Sequence, residues 1–216
     1  RPGEPLCLPA RRPGHGVAAH LEFWSERKKA HPLAQLSGLA RAEESRGFLG
    51  KNPPKRSVIL LAVTGEEKGL LGSEWYANHP LIPLNKTVFN LNCDGAGYND
   101  KTIVSIFDFN RTTVDEWVNK ACQGYGLSPK GDPAPEQHLY EQSDNVNFAV
   151  KGVPAMNFAP GVKAFDQELF TYYHQPADEV SSLDMDYLQR YYRSFVYTAY
   201  LIANAAERPM WKSGDR

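Results

Sequence analysis

The sequence contains no apolar run long enough to cross a bilayer. Its most continuous one, Ser57–Val63, falls far short of the roughly 20 residues a spanning helix needs. Excess charge of either sign is also missing: 24 Lys and Arg stand against 25 Asp and Glu, a formal charge of −1, so no global basic field points to nucleic acid. Cysteine is scarce. Cys7, Cys93 and Cys122 have no metal-type spacing, and an odd count excludes a fully paired intrachain disulfide framework. The opening Arg1-Pro2-Gly3-Glu4 lacks the basic-then-apolar layout of a signal peptide. What is present, 42% hydrophobic, 12% aromatic and 23% charged residues over 216 positions, is the composition of a globular protein of one large or two small domains.

A local absence divides the chain. Residues 1–50 contain no Asp, Asn, Thr, Ile or Tyr and a single Val, the residues that supply strands, turns and caps. They carry eight Lys/Arg and five Asp/Glu, a charge of +3 that leaves −4 for the rest. Val17, Leu21, Trp24 and Lys28 recur at helical spacing and predict an amphipathic helix over residues 16–30. Residues 1–15 and 31–53 are expected to pack irregularly. The expected division is thus an atypical segment, 1–53, followed by a domain over 54–216.

From Pro53 the pattern changes. Ser57–Val63 is a continuous branched apolar run, suited to a strand buried on both faces. Thr64-Gly65-Glu66-Glu67 turns, and Leu70, Leu71, Trp75 and Tyr76 repeat at helical spacing. Thr87–Asn92, Thr102–Phe107 and Val153–Phe158 read as strands. Val114–Cys122 reads as a helix ending near Gly124, Asn145–Lys151 as a short helical stretch, and Ser128–Pro135 as a loop. Met185–Glu207 is a long helix whose expected buried stripe is Leu188, Tyr191, Tyr192, Phe195, Ala199 and Ile202. Strands alternating with helices predict an α/β fold with a largely parallel sheet.

Ligands in such sheets gather at the C-terminal ends of strands. Glu66 and Glu67 follow the first buried strand and Asp94 the second, with Gly65 and Gly95 beside them to permit tight turns. Adjacent carboxylates repel, so holding them near a sheet edge calls for a cation or hydrogen-bond donors. The alternative is a solvated helix start favoured by the helix dipole. His174 lies in Phe170–Glu179, before the last helix, either as a half-buried hydrogen-bonded ring or as a ligand; Asp178 is a turn or cap residue, or a partner that orients it. Jointly, Glu67, Asp94 and His174 form a carboxylate–imidazole set suited to Zn²⁺ or a similar divalent ion.

These segments resemble a known family. The run RSVILLAVTGEEKGLLGS ending at Ser73, then NLNCDG (Asn90–Gly95), YEQSDNVNFAVKGVPAMNF (Tyr140–Phe158) and YYHQPADEV (Tyr172–Val180), resembles the zinc aminopeptidases of peptidase family M28 over roughly residues 54–207. The resemblance implies a phosphorylase/hydrolase-like three-layer α/β sandwich with a central mixed, mostly parallel sheet, and removal of N-terminal residues from peptides by a site with two zinc ions. It implies Glu66 as general base, Glu67 and His174 as ligands of one zinc and Asp94 as a ligand of the other. Tyr173 would stand where some members donate to the oxyanion, and Asp144 on the substrate side or in support. Analogy with exported relatives implies a periplasmic or secreted location.

The family pattern also has an early His-x-Asp pair and a bridging Asp, and this chain has no Asp before Asp94. If Gly16–Glu22 is the helix that follows the bridging Asp, Arg12 occupies the bridging position, where a cation would repel the metals. The spacing of His15, His20 and His31 supports none of them as a substitute. The expectation is therefore a fold incomplete on its N-terminal side, with a partial or inactive site; a catalytically dead binding module and a one-zinc glutaminyl cyclase-like acyltransferase are the alternatives.

Overall fold

The computed structural model of the protein describes residues 16–22, 45–94 and 97–213. Among these residues six strands form one sheet: β1 (Gly16–Glu22), β2 (Val58–Val63), β3 (Thr87–Asn92), β4 (Ile103–Ile106), β5 (Ser128–Lys130) and β6 (Ala155–Pro160). Their order is β2-β1-β3-β6-β4-β5. The first four strands in that order run parallel, β4 is antiparallel to β6, and β5 is parallel to β4, giving the mixed, mostly parallel sheet expected.

The helices α1 (Leu71–Asn78), α2 (Asp115–Gly124), α3 (Val146–Ala149), α4 (Gln167–Tyr172) and α5 (Met185–Asn204) complete the sandwich. Side chains alternate across β2, as a strand with two covered faces requires. Val58 joins the core formed with α2 and α5, while Ile59, Leu61 and Val63 join a second core with Tyr76 of α1 and Phe148 of α3. The predicted stripe of α5 is buried in full, Tyr191, Phe195 and Ile202 completely. Burial of each such side chain stabilises the fold by roughly 1.5–3 kcal/mol. Asp184 caps α5 by accepting from Tyr187 N at 2.9 Å. Arg56, just before β2, donates to the carbonyls of Ile202 and Ala205 at its other end, at 3.2 and 2.6 Å.

The helix expected over 16–30 is corrected: residues 16–22 are strand β1, and 23–30 lie outside the described residues. β1 pairs with β2 from Val17↔Val58 to Glu22↔Val63, and with β3 from Gly16↔Thr87 to Ala19↔Leu91. Ladders on both edges satisfy its backbone groups whatever the local propensity of Ala18 and Ala19. Among the described residues β1 is also the only neighbour of β2 in the sheet, so it joins the strand before Glu66 to the strand before Asp94. Three short elements fall where sequence patterning gave none. One is a helix over residues 45–51, whose Phe48 and Leu49 pack against the core and correct the irregular packing expected of that part of 31–53. The others are β5 and α4: Ser128-Pro129-Lys130 is too short and polar to signal a strand, and α4 has only six residues.

Candidate active site

The site is built at the C-terminal ends of parallel strands. After β2, Gly65 takes a left-handed conformation (φ 77°), and Glu66–Lys68 form one 3-10 turn. The turn is closed by Gly69 N and Leu70 N donating to Glu66 O, and by Gly72 N donating to Thr64 O, each at 2.9 Å. Gly72 has to be glycine here: a Cβ would lie 2.6 Å from Thr64 O and 2.8 Å from Val63 Cβ. This close approach lets α1 start directly against the end of β2 and presents Glu66, half-buried, and Glu67, exposed, at the sheet edge.

Asp94 follows β3. Its backbone N donates to Asn157 Oδ1 (3.3 Å), and its carboxylate accepts from Ser143 Oγ. Ser143 accepts in turn from Asn92 Nδ2 and Asn157 Nδ2, both at 3.2 Å, so its hydroxyl is oriented toward Asp94. Asp144, the next residue, is 2% exposed and accepts from Ser73 Oγ of α1. Tyr173 and His174 follow α4, with ring centroids 4.2 Å apart. His174 has a left-handed φ of 55°, a conformation uncommon outside glycine and enriched at functional sites. Its Nδ1 lies 3.8 Å from Glu67 Oε1.

Like charge accumulates among the described residues here. Burial, then the carboxylates of Asp94, Glu67 and Asp144, push Glu66 up to about 8. Burial, opposed by the Ser73 hydrogen bond and assisted by Asp94, raises Asp144 to about 7. Tyr173 is raised by burial and then by Asp94, Glu67 and Glu66, so its hydroxyl stays protonated and able to donate. Concentrated like charge of this kind favours a bound cation. Glu67 and His174 suit one: two donors about 2.0–2.2 Å from a tetrahedral zinc are about 3.3–3.6 Å apart, close to the observed 3.8 Å. Among the described residues, however, no three His, Cys, Asp or Glu side chains converge closely enough to hold a metal ion. The donors fit a half-site.

All six residues singled out in the sequence fall in this region: Glu66, Glu67, Asp94, Asp144 and Tyr173 act on one another electrostatically, and His174 faces Glu67. Ser73, Ser143, Asn147 and Asn157 were missed, since lone hydroxyls and amides carry no pattern. A further segment was misread. β1 runs parallel to both neighbours, so His20-Leu21-Glu22 lies at its C-terminal end, between the ends of β2 and β3. Ala19 pairs with Leu91, and Glu22 and Asp94 lie equally far beyond that pair. A His-x-acid triplet at a strand end was the available signal, obscured by reading the segment as a helix. The placement of Arg12 at a bridging position depended on that helix and loses its basis; Arg12, His15, His31 and Gly95 lie outside the described residues.

Residues 14–199 match the sequence model of Peptidase family M28. The chain belongs to peptidase family M28. The match to this M28 chain begins ahead of β1 and takes in every strand of the sheet. A vacuolar membrane protease of Verticillium alfalfae is 37% identical over 79 residues, 37% of this chain and 7% of that relative. A solved zinc aminopeptidase from Bacillus subtilis superposes with a TM-score of 0.69 at 21% identity, covering 97% of this chain and 53% of the other. A solved glutaminyl cyclase from Porphyromonas gingivalis superposes at 0.65 with 14% identity, covering 90% and 76%. At these identities the structures establish the fold. The chain spans about half the length of the solved aminopeptidase and a small part of the curated relative.

Proposed function

We propose that this M28 chain carries the chemistry of a zinc-dependent aminopeptidase, which hydrolyses the residue at the free amino end of a peptide. The observation that supports this reading is the meeting of Glu66, Glu67, Asp94, Tyr173 and His174 at one sheet edge, with Glu66 pushed up to about 8 by burial and by neighbouring carboxylates. Glu67 and His174 would hold one ion and Asp94 would contribute to a second. His20 and Glu22, on the strand between them, are the candidates to complete the donor set. Zinc held there would supply a Lewis acid for the scissile carbonyl and acidify water toward a pKa of about 7.

Each remaining step falls to side chains of this chain. Glu66 is half-buried beside the other acids, and its ionised carboxylate would take a proton from water and deliver it to the leaving amine. Tyr173 keeps its proton and donates to the oxygen on which negative charge develops. Asp94 is held in one orientation by Ser143.

A second reading is a family fold whose site is partial and serves for binding; the lack of a three-donor set among the described residues favours it. Hydrolysis of aminoacyl-arylamides with zinc and with a chelator, alongside equilibrium dialysis of zinc, separates the two. Chelator-sensitive hydrolysis supports the first reading. Weak zinc binding with no turnover supports the second. Cyclisation of N-terminal glutamine peptides without arylamide hydrolysis would move the assignment to a glutaminyl cyclase-like acyltransferase.

A further inference from the structure

β2 and β3 are not neighbours. With β1 between them, their backbones stand two strand spacings apart, about 9–10 Å, and Glu66–Glu67 and Asp94 belong to separate loops rising from them. Nothing in the covalent chain fixes the distance between those loops. The segment before α3 reaches both. Ser143 donates to Asp94, and its neighbour Asp144 accepts from Ser73, on the first turns of α1 behind the Glu66–Glu67 turn.

The contacts on the Ser73 side converge on one carbonyl. Leu70 closes the acidic turn in a left-handed conformation (φ 59°), which a branched side chain adopts only when held there. Ser73 Oγ lies 3.0 Å from Leu70 O. Asn147 of α3 places Nδ2 2.8 Å from Ser73 Oγ and 3.4 Å from Leu70 O. Ser73, Asp144 and Asn147 thus grip the back of the turn from two elements that are far apart in sequence. On the other side, Ser143 is fixed by Asn92 at the end of β3 and by Asn157 within β6. Ser73, Ser143, Asp144 and Asn145 are all buried, so these bonds are sheltered from competition with water.

We infer that Ser143-Asp144 is a two-armed brace that sets the spacing between the Asp94 loop and the Glu66–Glu67 turn, with Ser73 and Asn147 as its anchor on the turn. These are positioning residues, acting through Glu66, Glu67 and Asp94. The brace's link to catalysis rests on the aminopeptidase reading, whereas its mechanical role does not.

The test uses hydrogen exchange as a readout independent of activity. The amides of Gly69, Leu70 and Gly72 are bonded within the turn, and those of α5 serve as the internal reference. Asp144→Ala and Ser73→Ala should each speed exchange of the turn amides by about 10-fold or more relative to α5. The double variant should be little faster than either single one, because both remove the same contact. Asp144→Asn, which retains a hydrogen-bonding partner for Ser73, should protect the turn amides at least as well as the parent chain does. Val118→Ala, in the core on the opposite face of the sheet, should leave the ratio unchanged. With aminoacyl-arylamides, the two alanine variants should lower kcat with KM nearly constant. Turn amides in Asp144→Ala that exchange as in the parent, or Asp144→Asn as damaging as Asp144→Ala, would overturn the brace. Should Asp144→Ala fail to fold, Ser73→Ala, which removes one hydroxyl, decides by the same criterion. A parent chain without hydrolysis would defeat the aminopeptidase reading while leaving the exchange comparison to judge the brace.

Discussion

Asp144→Asn should stabilise the metal-free chain at alkaline pH and lose that advantage in acid. Asp144 is 2% exposed, and its carboxyl is raised by burial from 3.8 to about 7. The unfolded chain then releases this proton at lower pH than the folded one. Between about pH 4 and pH 7 the native state binds more protons, so this group makes stability fall as pH rises, with the loss complete above pH 7. Moving the carboxyl from 3.8 to about 7, at about 1.4 kcal/mol for each tenfold change in proton affinity, gives an upper value of about 4 kcal/mol, which relaxation around the site reduces. The hydrogen-bond inventory points the same way. Ser73 has one hydroxyl proton and two acceptors in reach, Leu70 O and Asp144 Oδ1. A neutral Asp144 can donate to Ser73 Oγ and free the hydroxyl for Leu70 O; an asparagine amide can do the same. Urea unfolding of chelator-treated parent and variant at pH 8 and pH 4 reads the difference. The variant should be more stable by about 2–4 kcal/mol at pH 8 and nearly equal at pH 4. A gap that is the same at both pH values, or a less stable variant at pH 8, would refute the claim that Asp144 is held against its own ionisation.

Four further outcomes follow from the same geometry. Glu66→Gln should lower arylamide turnover by about 10²–10⁴-fold with zinc affinity, measured by dialysis, largely kept. His174→Ala should weaken zinc binding in the same dialysis and lower turnover only as occupancy falls, because its ring faces Glu67. Gly72→Ala should lose about 1–3 kcal/mol in urea unfolding, since the new Cβ meets backbone at 2.6 Å. Ala19→Pro should abolish soluble folded protein, read by circular dichroism and gel filtration, because β1 bonds to strands on both edges.

The long, periodic or continuously apolar segments were legible in the sequence. β2 and α5 carry their patterns in Val58–Val63 and in the stripe from Leu188 to Ile202; four of the six β2 residues and the whole stripe are buried, and Leu60 and Ala62 are half-buried. The acids were legible because they sit directly after such strands. β1 was not. Gly16-Val17-Ala18-Ala19-His20 has little strand propensity, and what makes it a strand is its place between β2 and β3, which no local pattern encodes. The hydroxyl and amide network around Ser73, Ser143, Asn147 and Asn157 was invisible for a related reason: each residue is ordinary where it stands, and only the fold brings partners separated by 14 to 74 positions within hydrogen-bond reach.

The position of β1 also bears on how the site is to be understood. Among the described residues, a sheet without it would leave β2 unpaired, so the Glu66–Glu67 turn and Asp94 would lose the strand that joins them. The same strand that looked alien by composition therefore does the joining, and it ends in His20-Leu21-Glu22 between the two acidic loops. Composition and role are separable here: parallel pairing on both edges asks only that backbone N–H and C=O groups be free to bond, and Gly, Ala and Val meet that demand. If the brace from Ser143-Asp144 fixes the spacing above the sheet and β1 fixes it within the sheet, loss of either should release the two acidic loops from one another. The defects should differ in kind. A broken brace should leave a folded chain with a loosened turn, whereas a broken β1 ladder should remove the sheet on which the turn is built.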